Sequence, residues 1–237
     1  MPISSDQEGN ISVITIDLDD TLWDNELTLE NAEIELYFWL NKNIPEVTSS
    51  FSIMDFKTHR QEMAKQNPEL CHDMTKQRRE SLAILIEEKG YDKSIVSTAM
   101  GVFLDARNKV ALYDDVIPTL NKLNQKYELV AVSNGNADVK KIGIDEYFSL
   151  TISPSNTGIS KPDPLVFEII MQRMELMPGM LIHVGNDPAT DIIGAQNAGI
   201  GNVWLNRNNA EWPTEYPPPD IEISTLHDLI PAINRFN

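Results

Sequence analysis

The segment Asp17-Leu18-Asp19-Asp20-Thr21-Leu22 offers the most pointed chemistry in the chain. Two carboxylates one residue apart, Asp17 and Asp19, can share a divalent cation while one of them attacks an electrophile. Alone, the segment reads equally well as an acidic turn or a helix cap at a strand end. Three further polar clusters follow. Ser133-Asn134-Gly135-Asn136 combines a hydroxyl with backbone N–H groups that can make an anion pocket, and is otherwise an Asn-Gly turn. Ser160-Lys161-Pro162-Asp163-Pro164 sets a lysine where it could hold a phosphate oxygen, and is otherwise a solvated loop. Gly185-Asn186-Asp187-Pro188-Ala189-Thr190-Asp191 brings more carboxylates, and is otherwise a helix start capped by Asp187.

Such residues need a scaffold that gathers them. Residues 11–16 are short, β-branched and apolar, and read as a buried strand ending at Asp17. Residues 129–133, 150–152, 181–184 and 202–205 read as further strands. Residues 116–126, 164–174 and 189–198 read as helices between or beside them. Alternation of this kind predicts a parallel sheet covered on both faces, with ligands beyond the carboxyl ends of its strands. All four polar clusters fall at those ends or at the mouth of a helix. Between about 25 and 110 the spacing turns helical, with one stripe at Ile34, Tyr37, Phe38 and Leu40. A second stripe is Leu82, Leu85 and Ile86, and a third is Val102, Phe103 and Ala106. Pro45, Pro68 and Gly90 break these helices. The expected fold class is α/β: a doubly wound, Rossmann-like core of residues 1–23 and 111–237, with an inserted all-α cap domain at 24–110.

Composition narrows the function. The 237 residues are 41% hydrophobic, enough for a proper core. The net charge of -17 argues against nucleic-acid binding, because a polyanion would be repelled. Residues 24–110 hold 15 acidic against 11 basic side chains, whereas the rest hold 21 against 8. The insert is therefore the better source of cations for an anionic ligand. The single cysteine, Cys71, excludes an intramolecular disulfide, which fits a cytoplasmic location. The polar first ten residues, and the lack of a long apolar run, predict neither signal peptide nor membrane span.

The order of the four clusters carries more than any one of them. It resembles the haloacid dehalogenase superfamily, whose members are mostly phosphatases, and the resemblance runs from Ile11 to about Asn206. That resemblance implies that Asp17 is the nucleophile, forming a transient aspartyl-phosphate. Asp19 would be the acid that protonates the leaving alcohol, and then the base that activates water. Such an acid needs its pKa lifted by neighbouring negative charge. Thr21 would support the loop at the phosphate site. Ser133 and the Asn134 amide would hold the phosphate, and Lys161 would neutralise phosphate and nucleophile. Mg²⁺ would be the cofactor, held by Asp17, the Asp19 carbonyl and the fourth cluster, with Asp191 behind the ligands. One departure stands out: the family pattern has Asp directly after the glycine of the fourth cluster, and here that position is Asn186, with Asp187 next. Either could complete the metal site, and an amide brings no charge.

Residues 16–25, 68–78, 132–136 and 183–199 further resemble a bacterial subgroup of phosphatases linked to 5-amino-6-(5-phospho-D-ribitylamino)uracil on the riboflavin pathway. The implied partner is a small phosphorylated metabolite such as that compound, FMN, a sugar phosphate or a nucleotide, acted on by a monomer or homodimer. In the insert, the polar run 72–79 is the candidate for substrate contacts through His72 and Arg78, or else a solvated helix face. His183, in an apolar strand, reads as packing. Met171, Met174 and Met177 read as a core face. Trp23 reads either as a gate or as an aromatic anchor. A haloacid dehalogenase, which needs neither metal nor second acid, and a non-catalytic binding protein on the same scaffold are the rival readings.

Overall fold

A computed structural model describes residues 10–67 and 74–236. It divides into two compact units. One combines the described residues up to Asp24 with those from Ala111 onward, and the other is Asn25–Val110.

The first unit opens with β1 (Val13–Ile16), and the second is helical among its described residues: α1 (Asn25–Asn43), α2 (Pro45–Thr48), α3 (Ile53–Gln66), α4 (Met74–Glu88) and α5 (Ser94–Arg107). The chain then returns to the first unit through α6 (Val116–Leu123), β2 (Glu128–Val132), α7 (Val139–Ile142), β3 (Leu150–Ile152), α8 (Pro154–Thr157) and α9 (Leu165–Met174). It ends with β4 (Leu181–Gly185), a π-type turn (Pro188–Ile192), α10 (Ile193–Asn197), β5 (Gly201–Leu205), β6 (Ile221–Ile223) and α11 (Leu229–Ile233).

The six strands form one parallel sheet in the order β3-β2-β1-β4-β5-β6. Every residue of β1 is buried, and four of five in β2, which is what two covered faces require. Strand order reverses at β1, so the crevice between β1 and β4 is the switch point where such sheets bind ligands. Asp17 leaves β1 there, and its N–H continues the ladder to Val184 O at 2.9 Å. β6 and α11 lie beyond the stretch that the sequence pattern assigned. Ile221–Ile223 is three residues long, too short to show a period.

The helical unit corrects one expectation. In α1 the buried positions are Thr28, Ala32, Leu36 and Leu40, four apart, whereas Ile34 and Phe38 are exposed, Phe38 at 65%. α1 packs on α5, and small residues on both, Ala32, Ala99 and Ala106, lie in the core between them. Small side chains let two helices approach, so the contact face is not the one with the bulkiest residues. The second stripe is buried as expected. In the third, Phe103 and Ala106 are buried and Val102 only partly. Met171 and Met174 pack partly against the core under the sheet, but Met177 lies beyond α9 and is 64% exposed.

Candidate active site

Asp17 sits 7% exposed at the end of β1 with three groups on its carboxylate or near it. Lys161 Nζ stands 2.6 Å from Asp17 Oδ1. Thr21 Oγ1 stands 3.0 Å from Asp17 Oδ2 and 3.1 Å from Asn186 Oδ1. The loop that brings Thr21 back is a tight turn: the Thr21 and Leu22 amides both donate to Leu18 O, and Asp20 adopts the left-handed φ of 61° that this demands.

Lys161 is spanned by acceptors. Its three ammonium hydrogens match three oxygens, those of Asp17 Oδ1, Asp191 Oδ1 at 2.6 Å and Val132 O at 2.9 Å. The side chain is almost wholly buried, and its main chain is clasped by Asn134. The Asn134 amide donates to Lys161 O at 2.8 Å and accepts from Lys161 N at 2.8 Å. Thus the Asn134 side chain fixes the lysine segment, while Ser133 Oγ accepts from the Gly135 amide at 2.8 Å and orders the neighbouring turn.

Asp191 receives more than Lys161 does for it. Its Oδ1 also meets His183 Nε2 at 3.1 Å, and its Oδ2 accepts from the Asp187 amide at 2.9 Å. Gly185 makes room for this carboxyl, since any β-carbon there would overlap it.

One lysine between two buried carboxylates cannot satisfy both equally. Burial would raise both, but Lys161 and the His183 hydrogen bond hold Asp191 well below the usual carboxylate range. Asp17 lacks those extra donors, and burial pushes it up to about 7 despite Lys161, with the Asp191 charge adding to the rise. Between two carboxylates Lys161 stays firmly protonated. The cluster is therefore short of one positive charge, at Asp17.

That shortage is the test of a metal. The donors at hand are oxygens: the Asp17 carboxylate and the Asn186 amide oxygen, on either side of the Thr21 hydroxyl. Among the described residues no group of three or more His, Cys, Asp or Glu could hold a metal ion. A hard cation that keeps several waters fits such a set, and the uncompensated Asp17 charge would favour it.

The other expected residues are placed as follows. Asp187 caps the π-type turn: its Oδ1 accepts from Thr190 N at 2.7 Å and Thr190 Oγ1 at 3.0 Å. The structure thus sets Asn186, not Asp187, against Thr21. Asp19 is half-buried, and its Oδ1 accepts from Trp23 Nε1 at 3.0 Å. Trp23 is fully buried and bridges Leu112, so it is an anchor rather than a gate. His72 lies outside the described residues. Arg78 is not on a solvated face: it is 5% exposed, pairs with Glu33 at 2.7 Å and lies 3.6 Å over the Phe103 ring. Arg60 meets the same Glu33 oxygen at 2.7 Å.

Arg207 escaped the sequence reading. Its guanidinium grips Asp115 bidentately at 2.9 Å, donates to Thr21 O at 3.0 Å and stacks 4.2 Å over Tyr113. It pins the loop behind Asp17 from a position two residues past β5. A basic residue just after a strand at the ligand end was the available signal.

Residues 11–199 match the haloacid dehalogenase-like hydrolase family. The chain belongs to that family. It is 30% identical to 5-amino-6-(5-phospho-D-ribitylamino)uracil phosphatase YigB of Escherichia coli (strain K12), over 95% of this chain and 97% of the relative. The crystal structure of 2-haloacid dehalogenase from Pseudomonas syringae pv. Tomato DC3000 superposes with a TM-score of 0.88 at 32% identity, over 96% of this chain and all of that one. Phosphoserine phosphatase of Thermus thermophilus is 26% identical over 62% of this chain and 61% of its own length. No helix among the described residues is long and apolar enough to cross a membrane.

Proposed function

We propose that the protein is a Mg²⁺-dependent phosphomonoester hydrolase that works through an aspartyl-phosphate on Asp17. The observation that carries this reading is the Asp17–Lys161–Asp191 cluster, which leaves one buried carboxylate under-compensated beside a loop of phosphate-binding type. Asp17 attacks phosphorus, one Asp17 oxygen bonds to it, and the bond to the leaving alcohol breaks. Asp19 gives that alcohol its proton, then takes one from the water that cleaves the acyl-phosphate. Lys161 holds the reacting carboxylate and offsets the charge that the dianionic phosphoryl group brings. Ser133 and the Asn134 backbone N–H bind phosphoryl oxygens. Asp17, the Asp19 carbonyl and Asn186 would hold Mg²⁺, which would supply the charge neutralisation that lets one anion approach another. The substrate is a small phosphorylated metabolite. The 5-phospho-D-ribitylamino-uracil compound is the first candidate, because the similarity to YigB spans both chains nearly end to end.

The test is a phosphometabolite panel with Mg²⁺, wild type against Asp17→Asn. Turnover that survives in the pure variant would sink the mechanism. Asn186 and the likeness to a 2-haloacid dehalogenase favour a second reading, release of halide from a 2-haloacid. The presence of Asp19 weighs against it, since a dehalogenase needs no second acid. Chloride release without Mg²⁺ would decide for it, and turnover of neither class would leave a binding protein.

A further inference from the structure

Thr15 and His183 are register partners on the adjacent strands β1 and β4. Both are fully buried, and the His183 ring meets Phe167 edge-on at 4.9 Å between centroids. Packing alone would explain a buried ring, but both ring nitrogens are also used. Nδ1 lies 2.9 Å from Thr15 Oγ1, and Nε2 lies 3.1 Å from Asp191 Oδ1. A carboxylate can only accept, so Nε2 carries the hydrogen. Burial first, and then the Lys161 charge, push His183 below its ordinary value, so the ring is neutral and Nδ1 carries no hydrogen, while the Thr15 hydroxyl lies between that nitrogen and Ile182 O at 3.0 Å. The Asp191 carboxylate, which can only accept, therefore fixes the tautomer.

We infer that His183 is a positioning residue, whose Nε2–H holds Asp191 so that Lys161 stays shared with Asp17. The inference rests on Asp17 being the nucleophile. Three donors reach the Asp191 carboxylate: Lys161 Nζ and His183 Nε2 on Oδ1, and the Asp187 amide on Oδ2. Without the His183 hydrogen, Oδ1 keeps Lys161 as its one remaining donor. The ammonium is then drawn toward Asp191 and away from Asp17, 2.6 Å off on its other side. The effect falls on the chemical step, because Lys161 acts on the reacting carboxylate. The chain His183, Asp191, Lys161 and Asp17 thus runs from the sheet interior to the reacting oxygen.

The experiment compares His183→Leu, which removes the donor, with His183→Gln, whose amide restores one near the Nε2 position. Both are assayed with Mg²⁺ on p-nitrophenyl phosphate, corrected for folded fraction by circular dichroism, beside Asp17→Asn. We expect His183→Leu to lose about tenfold in kcat, the rate equivalent of about 1.4 kcal/mol, with KM little changed. His183→Gln should recover most of that loss. Unchanged kcat in His183→Leu, equal losses in both variants, or a loss confined to KM would overturn the inference. Should His183→Leu fail to fold, His183→Met carries the test: it also lacks the donor and should lower kcat about tenfold, and no loss would refute the relay. Activity surviving in Asp17→Asn would instead sink the nucleophile assignment. A dead Asp17→Asn with a fully active His183→Leu would sink the relay alone.

Discussion

Removing the charge of Asp17 should stabilise the metal-free protein while ending turnover. Asp17 releases its proton only near 7, against 3.8 for an ordinary aspartate, because burial outweighs its half-share of Lys161. Across that interval the folded chain keeps a proton that the unfolded chain has lost. Stability therefore falls as pH rises through it, by about 1.4 kcal/mol per pH unit and about 4 kcal/mol in all. Below the unfolded value the term vanishes, and above the folded value it is fully expressed. Asp17→Asn keeps the shape and leaves Lys161 paired one-to-one with Asp191. Unfolding both proteins in EDTA from about pH 5 to about pH 8 should show the wild type losing about 2.5 kcal/mol relative to the variant. Mg²⁺ should narrow the gap, since a cation beside Asp17 favours its ionised form. Parallel pH dependence, or a variant less stable than wild type at the alkaline end, would refute the charge shortage on which this reasoning stands.

Asn186→Asp should tighten Mg²⁺ binding by about tenfold in calorimetry, because it adds a charge beside Asp17. If that binding is unmoved and Asp187→Ala abolishes it, Asp187 is the ligand and its capping contact is secondary. Glu33→Gln should cost about 3 kcal/mol in urea unfolding, because it leaves the buried guanidiniums of Arg60 and Arg78 facing a neutral amide. A cost of about 0.5 kcal/mol would instead class the pair with solvent-exposed bridges. Gly185→Ala should reduce kcat at least tenfold through displaced Asp191, visible as lost activity in a chain that still folds.

The strand ends were legible because three of the four polar clusters follow a short apolar run: Val-Ile-Thr-Ile, for one, is too apolar and too branched to be anything but a buried strand. The gathering of Asp17, Thr21, Lys161 and Asn186 follows from a parallel sheet, which brings all carboxyl ends to one edge. Pairings across strands were not legible, because they depend on register. Thr15 meets His183 only because β1 and β4 align as they do, so His183 read as packing. The α1 face was misread for another reason. Bulk of side chain marks burial poorly where two helices approach closely, and Ala32 lies inside while Phe38 lies out. Arg78 resembled a member of a solvated charge run because its partner, Glu33, is 45 residues away in sequence.

Trp23 and Leu112 face each other in an antiparallel bridge, and the Tyr113 amide donates to Leu22 O at 3.0 Å. The two ends of the helical insertion are thus stitched together within the sheet unit itself. Seen from the sheet, Asn25–Val110 is one long loop leaving and rejoining at a single point. The sheet needs none of it to close its own hydrogen bonds, because none of the described residues of the insertion belongs to a sheet strand. An exchange of the whole insertion would leave every catalytic oxygen in its register. The stitch at Trp23 is the seam along which such an exchange would be made.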